Sequence, residues 1–373
     1  MVLMNVKLSN LLTFDDFELT TAYPKKIIGS TIPQEHLLDR PNFRYKKLIV
    51  LMGANASGKT ALGKVLMACF NFIARKEYKG IISLIEDKSK NAEFMLDFAF
   101  SSFELYRIHA VFTAPDDSAY DYDSKNIYVE VKREPILKTD SYERCVQRLI
   151  QQTPLEADNY IMALEQVPAL SWDFEFPFAY DGKQHAVKPM NQEHYGKVLE
   201  KTLQVLDPRI KRVSRIPDTN NTYSIFREHD VILIDNGKIL NPDKLSSGTA
   251  EGIGIADIVS AMKLSAFDFY YCDEKFSHIH TDMEKTFLSL FIELLGNNQQ
   301  MFYTTHNSDI LEMNLPKHSF AFLRCINSSD GRVSCVYASE YLKKNTDSLK
   351  NAVENDLFNS APDLESIYKI KEV

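Results

Sequence analysis

Apolar and polar positions divide the chain into short blocks whose period changes several times. Residues 1–20 alternate, with "VLMNVKL" and "TFDDFEL" on either side of a Ser9-Asn10 turn, the period of a β-hairpin. "KKLIVLM", Lys46 to Met52, is almost wholly apolar and runs into a glycine, the pattern of a parallel strand buried on both faces. Thr60 to Ala74 changes to helical spacing, with Leu62, Val65, Leu66, Cys69, Phe70 and Ile73 on the apolar side. From Ala92 to Glu134 there is no glycine, and "EFMLDFAF", "FELYRIHAVFT" and "NIYVEVKRE" predict an antiparallel strand set. Ser141 to Val167 returns to helical spacing, and residues 168–220 are mixed. Strands resume at "YSIFRE" and "VILID". An apolar helix from Gly252 to Leu264 follows, then an apolar run from Phe267 to Cys272 and a helix from Asp282 to Leu295. A strand at Gln300 to Thr304, a hairpin around "NSSDGRVS" and a polar helical tail from Asp347 to Lys371 complete the pattern.

Strand–helix alternation at both ends with an insertion between predicts an α/β core split by a lid. The expected units are an N-terminal lobe over 1–140, a short, mainly helical lid over 141–222, and a C-terminal lobe over 223–373.

Composition narrows the class. Apolar residues make up 45% and charged residues 25%, ordinary globular proportions. With no apolar run of eighteen residues, no membrane-spanning helix and no membrane partner are expected. The first residues carry Asn5 and Lys7 inside their apolar pattern and no small-residue cleavage site, so they read as a strand and not a signal peptide. Cys69, Cys145, Cys272, Cys325 and Cys335 are scattered and form no C-x-x-C, which fits reduced thiols in a cytoplasmic protein. The net charge of −8 gives no overall attraction for nucleic acid. One dense basic run (Arg209, Lys211, Arg212, Arg215) leaves a local contact open beside the plainer reading of a solvated face.

"GANASGKT", Gly53 to Thr60, satisfies G-x-x-x-x-G-K-[ST] between a buried strand and an amphipathic helix. In such a loop Gly53 and Gly58 let the backbone wrap a phosphate, with the N–H groups of Asn55, Ala56 and Ser57 between them pointing inward. Lys59 reaches the β- and γ-phosphate oxygens, and the Thr60 hydroxyl can coordinate Mg²⁺. "FDFYYCDEKF" supplies the complementary acids at the carboxyl end of a buried strand: Asp273 to hold the metal through water, Glu274 to orient or deprotonate an attacking water. His306 follows the next strand, where an imidazole can sense the γ-phosphate. "DKLSSGTAEG" places Ser246, Ser247 and Gly248 before the apolar helix, either as an ordinary cap or as an anion site.

The order of phosphate loop, Leu245-Ser246-Ser247-Gly248-Thr249, Asp273-Glu274 and His306 resembles the ABC-type ATPase head of the SMC and ABC superfamily. "LSNLLTFDDFEL" looks like the first hairpin of these heads, and "DEKFSHIHTDMEKTFLSLFIELL" like their D-loop and following helix. "DSLKNAVENDLFNSAPDL" is similar to the C-terminal helix of small Old-like (overcoming-lysogenization-defect) ATPases, AAA-type in family description. The resemblance covers about 1–140 and 225–373. It implies a P-loop NTPase of the ABC-head type using ATP and Mg²⁺, hydrolysing ATP to ADP and phosphate.

It also implies that Ser246, Ser247 and Gly248 close over the γ-phosphate held by a second copy, giving a homodimer or higher homo-oligomer. Glu251 beside them would help orient the signature. Three departures stand out: no glutamine between Ala61 and Arg144 for a Q-loop, Lys275 where many relatives have proline, and no heptads for long coiled-coil arms. His278, His280 and Asp282 form an H-x-H-x-D that leaves a metal site open, and the aromatics from Trp172 to Tyr180 read as lid core or an exposed platform. No nuclease module follows, so a stand-alone head with a short lid is expected. The implied role is a switch or sensor in anti-phage defence controlling a separately encoded effector nuclease or toxin. The alternatives are a DNA repair or recombination ATPase and a non-hydrolysing ATP-binding scaffold; nucleic acid as a partner stays open and is not indicated by charge.

Overall fold

A computed structural model describes the chain except for residues 116–121, 178–191, 220, 236–237, 326–331, 345–346 and 362–373. The N-terminal hairpin is Val2–Ser9 (β1) and Phe17–Thr20 (β2). His36–Leu37 (β3) and Arg40–Arg44 (β4) pair with each other, and Leu48–Met52 (β5) leads into Lys59–Arg75 (α1) and Lys79–Ile82 (α2). Ala92–Ala99 (β6), Glu104–Phe112 (β7) and Ile127–Pro135 (β8) follow, then Tyr142–Gln151 (α3), Tyr160–Glu165 (α4) and Trp172–Glu175 (β9). Gln192–Leu206 (α5) precedes Arg212–Arg215 (β10), Thr222–Phe226 (β11), Val231–Asp235 (β12) and Lys238–Ile239 (β13). The remainder is Ser247–Lys263 (α6), Phe269–Asp273 (β14), Thr281–Leu294 (α7), Gln300–Thr304 (β15), Phe320–Cys325 (β16), Val333–Tyr337 (β17), Ala338–Tyr341 (α8) and Leu349–Glu354 (α9). No helix among the described residues is long and apolar enough to cross a membrane.

The central sheet has the order β17-β16-β5-β15-β14-β9, parallel from β16 to β9 with β17 antiparallel at one edge. An antiparallel sheet, β2-β1-β6-β7-β8, faces it across α1. This is why α1 is apolar nearly all round: a helix between two sheets has no wet face over most of its length. Its Phe70 ring lies 5.4 Å from Phe98 of the antiparallel sheet and 5.1 to 5.8 Å from Phe269, Phe174 and Trp172 of the central one. Burying a ring of this size contributes about 1.5–3 kcal/mol. The other face of the central sheet packs against α6 and α7, with α5 and the sheet β10-β11-β12-β13 beyond them.

The segment expected as a mainly helical lid differs in two respects. Trp172–Glu175 pairs in parallel with β14, so it belongs to the central sheet, and Trp172 is central-sheet core instead of lid core or an exposed platform. Tyr180, the last residue of that aromatic stretch, lies outside the described residues. Among the described residues between β9 and α6 stand one α-helix and four antiparallel strands, with "RVSR" paired in register against "TYSIF". The tail is helical only over Leu349–Glu354 among the described residues; Phe358 beyond it stacks on Phe322 at 4.2 Å. The loop of the "NSSDGRVS" hairpin is outside the described residues, but its flanks β16 and β17 pair antiparallel as expected.

Candidate nucleotide-binding site

The carboxyl ends of β5, β14 and β15 are adjacent in the sheet, and the candidate residues follow directly from them. The loop after β5 turns tightly, with Ser57 N–H donating to Ala54 O at 3.1 Å. Asn55 and Ala56 are exposed at its crest, Gly53 is half-buried, and Ser57 is buried. Ala56 and Gly58 have φ of 62° and 98°, the alternation that turns successive N–H groups toward one point. At Gly58 a side chain would be strained, and a Cβ would meet Phe14 and Thr13, so the first hairpin is pressed against the loop. A cavity of about 330 Å³ opens beside it, between Asn55, His306 and Ser360.

Lys59, only 4% exposed, donates to Gly53 O at 3.0 Å and Ala54 O at 3.2 Å. Burial lowers its pKa, opposed by Glu274 3.5 Å away. Thr60 Oγ1 donates to Asp273 Oδ2 at 2.6 Å and Thr304 Oγ1 to Asp273 Oδ1 at 2.7 Å. Asp273 is wholly buried; desolvation pushes its carboxyl up, and the two hydroxyls pull against that. Glu274 has φ of 46°, a left-handed conformation that costs a non-glycine residue on the order of 1 kcal/mol or more. Its N–H donates to Thr304 Oγ1 at 3.0 Å, and its Oε1 lies 2.7 Å from His306 Nε2. That hydrogen bond holds the Glu274 carboxyl below its ordinary value, against the opposing effect of burial. Loop, acids and imidazole are thus one cluster.

The fit to a phosphate and a divalent cation rests on two features. Ser57 Oγ is buried inside the loop without a hydrogen-bond partner, an orphan that a phosphate oxygen would satisfy. Thr60 and Asp273 present hard oxygen ligands side by side, the donor type that Mg²⁺ takes.

Ser246, Ser247 and Gly248 are placed differently. The helix begins at Ser247, five residues earlier than its apolar pattern predicts, with Ser246 as its cap: Ser246 Oγ accepts from Thr249 N at 3.3 Å. Ser247 is exposed at the helix tip. A Cβ on Gly248 would stand 2.6 Å from His278 O, so the segment after β14 lies directly on the tip. Glu251 fastens the same segment, accepting from His278 N at 3.2 Å and lying 2.6 Å from His278 Nδ1. His280 caps α7 through Asp282 N. The H-x-H-x-D is therefore engaged in holding helix ends and the signature. Gly248→Ala should cost about 1–3 kcal/mol of stability, because a methyl must displace backbone. An unchanged melting temperature would refute the contact.

Lys275, in place of the expected proline, is 9% exposed and pairs with Glu175 at 3.2 Å. Burial pulls its pKa down, but Glu175 at the end of β9 offsets this and leaves it raised. β9 is the strand beside the Asp-Glu strand, pairing Glu175 with Cys272. The four-residue "WDFE" is short and alternates apolar with acidic residues, the pattern of a half-exposed strand, although all four are buried.

These features define an α/β P-loop fold of the ABC-ATPase head type, a parallel sheet combined with antiparallel ones. No protein-family model matches the chain, and no curated protein matches it in sequence. Among solved structures it is similar to an SMC head bound to the C-winged helix domain of ScpA, with a TM-score of 0.51 at 13% identity over 94% of this chain and 100% of that one. Two further matches are the SMC head domain from Thermotoga maritima (TM-score 0.42, 13% identity, 90% and 99% covered) and the Pyrococcus furiosus Smc head with an extended coiled coil bound to the C-terminal domain of ScpA (0.49, 12%, 99% and 100%). The fold resembles that of SMC heads.

Proposed function

We propose that this chain binds ATP on the loop Gly53–Thr60 and hydrolyses it to ADP and phosphate between two copies of itself. The observation that carries the proposal is Glu274, held between His306 at 2.7 Å and Lys59 at 3.5 Å, beside the Asp273–Thr60 pair. A carboxylate with a lowered pKa is ionised at neutral pH and can take a proton from a water positioned on its free side. Lys59 is placed to meet the β- and γ-phosphate oxygens, and a γ-phosphate there competes with Glu274 for the ammonium. Mg²⁺, held by Thr60 and Asp273, supplies charge neutralisation at the phosphates. Ser246 is spent on its own cap, so the exposed Ser247 with the free N–H groups of α6 is the part that reaches the second copy's nucleotide.

Phosphate release by the purified chain with Mg²⁺-ATP tests the reading; nucleotide bound without release would favour the non-hydrolysing scaffold. His306→Ala should raise the Glu274 pKa toward its ordinary value, so the acid limb of the pH–rate profile moves to higher pH. An acid limb that stays in place would remove His306 as the cause.

The finer role is a switch that controls a separately encoded effector in anti-phage defence. It rests on the resemblance of the tail and the absence of heptads from the sequence. Direct nucleic-acid action has less support: the net charge is −8, and although the basic run is exposed, Arg209 pairs with Asp207 at 2.8 Å and Lys211 with Glu228 at 3.1 Å.

A further inference from the structure

We propose that Glu284 is a positioning residue that sets the angle at which His306 and Thr304 meet the acids. Glu284 stands in the first turn of α7, on the helix that follows the Asp-Glu segment, and is 2% exposed. Its carboxylate accepts from Tyr303 OH at 2.7 Å and Thr305 Oγ1 at 2.8 Å on one oxygen, and from Asn307 Nδ2 at 2.7 Å on the other. All three donors come from the end of β15 and the turn after it. Side chains alternate along an extended segment, so 303, 305 and 307 share one side while 304 and 306 take the other. The first set is gathered on Glu284. The second set makes the functional contacts, Thr304 with Asp273 at 2.7 Å and with the Glu274 N–H at 3.0 Å, and His306 with Glu274 at 2.7 Å.

A buried carboxylate is costly unless hydrogen-bonded, and neutral donors flanking one imidazole are an expensive way to hold a loop that only needs packing. What they add is direction. Both neighbours of His306 in the chain are tied to the same side chain, Thr305 directly and Asn307 through its amide. Asn307 also accepts from Asp309 N at 3.0 Å and donates to Thr281 Oγ1 at 3.2 Å, which fixes the turn on both of its sides. Movement of the segment after Glu274 would reach His306 through α7 and Glu284. The inference rests on the ATPase reading for its kinetic consequence, but the placement of His306 does not depend on it.

Glu284→Gln keeps the shape and turns one acceptor into a donor facing the Asn307 amide. Thr305→Val keeps the size and removes the hydroxyl that donates to Glu284 and accepts from Asn307 N at 3.0 Å, and serves should Glu284→Gln fail to fold. Carbethoxylation of the full chain, followed at each histidine peptide by mass spectrometry, reports the Glu274–His306 contact without any turnover. In either folded variant His306 should react severalfold faster, while His280 (exposed at its own helix cap) keeps its wild-type rate. In steady-state assays kcat should fall by about tenfold to a hundredfold with KM for ATP unchanged, the usual scale of effect when a catalytic group is misplaced by about 1 Å. Wild-type His306 reactivity in a folded variant overturns the inference. A wild-type chain with no turnover but accelerated His306 modification in the variants would leave it standing and remove the ATPase reading instead.

Discussion

Lys59→Ala is expected to abolish nucleotide binding and turnover together. The ammonium is almost fully buried against the loop carbonyls, 3.5 Å from Glu274, so it is the group placed to neutralise a triphosphate at the loop. Truncating one partner of a buried charge pair costs on the order of 2–5 kcal/mol, and each 1.4 kcal/mol is about tenfold in affinity. A loss of roughly a hundredfold or more in ATP affinity should therefore appear in calorimetry or filter binding. The fold should survive, because the Lys59 side chain bonds only to loop carbonyls, Gly53 O and Ala54 O, and to Glu274. Tight ATP binding by a folded Lys59→Ala chain would show that the phosphate loop is not the site.

Glu274→Gln should have the opposite signature. Binding is retained, because Lys59, Thr60 and Asp273 remain, while the group that prepares the water is gone. General-base catalysis is worth about 10²–10⁴ in rate, so turnover should fall by that range while ATP stays bound. If the signature of one copy closes on the nucleotide of the other, the trapped state is a dimer, visible by light scattering with ATP and absent with ADP. A monomeric variant turning over at the wild-type rate would remove Glu274 from its role. The pair of variants separates binding from chemistry.

The elements that follow from local pattern are those whose neighbours in the fold impose one environment along their whole length. β5, β14 and β15 are buried on both faces and read as continuous apolar runs, and α1 reads as apolar because it lies between two sheets. β9 carries no such uniform signal: Trp172, Asp173, Phe174 and Glu175 are all buried, but two of the four are acids, so the stretch reads as mixed. The apolar pattern starts α6 at Gly252 because Ser247, Gly248 and Thr249 carry no large apolar side chain and Gly248 lowers helix propensity. Gly248, Gly252 and Gly254 are there for room, with Cβ positions 2.6 Å from His278 O, 2.5 Å from Leu206 and 2.8 Å from Lys275 Nζ. Tertiary packing overrode the local preference.

The sequence by itself determined the glycine-bounded loop Gly53–Thr60, since that loop is built from eight consecutive residues whose spacing is set by backbone geometry. It also determined which side chains end the two central strands, Asp273 with Glu274 and, after a further turn, His306. Only the tertiary structure decided how these meet. Lys275 and Glu175 are a hundred residues apart, Thr60 and Asp273 more than two hundred, and Glu284 reaches three donors at the end of β15 and in the turn after it. Hydrogen bonds act over about 3 Å, and sequence patterns record only which faces are buried, so partners across the sheet leave no periodic trace.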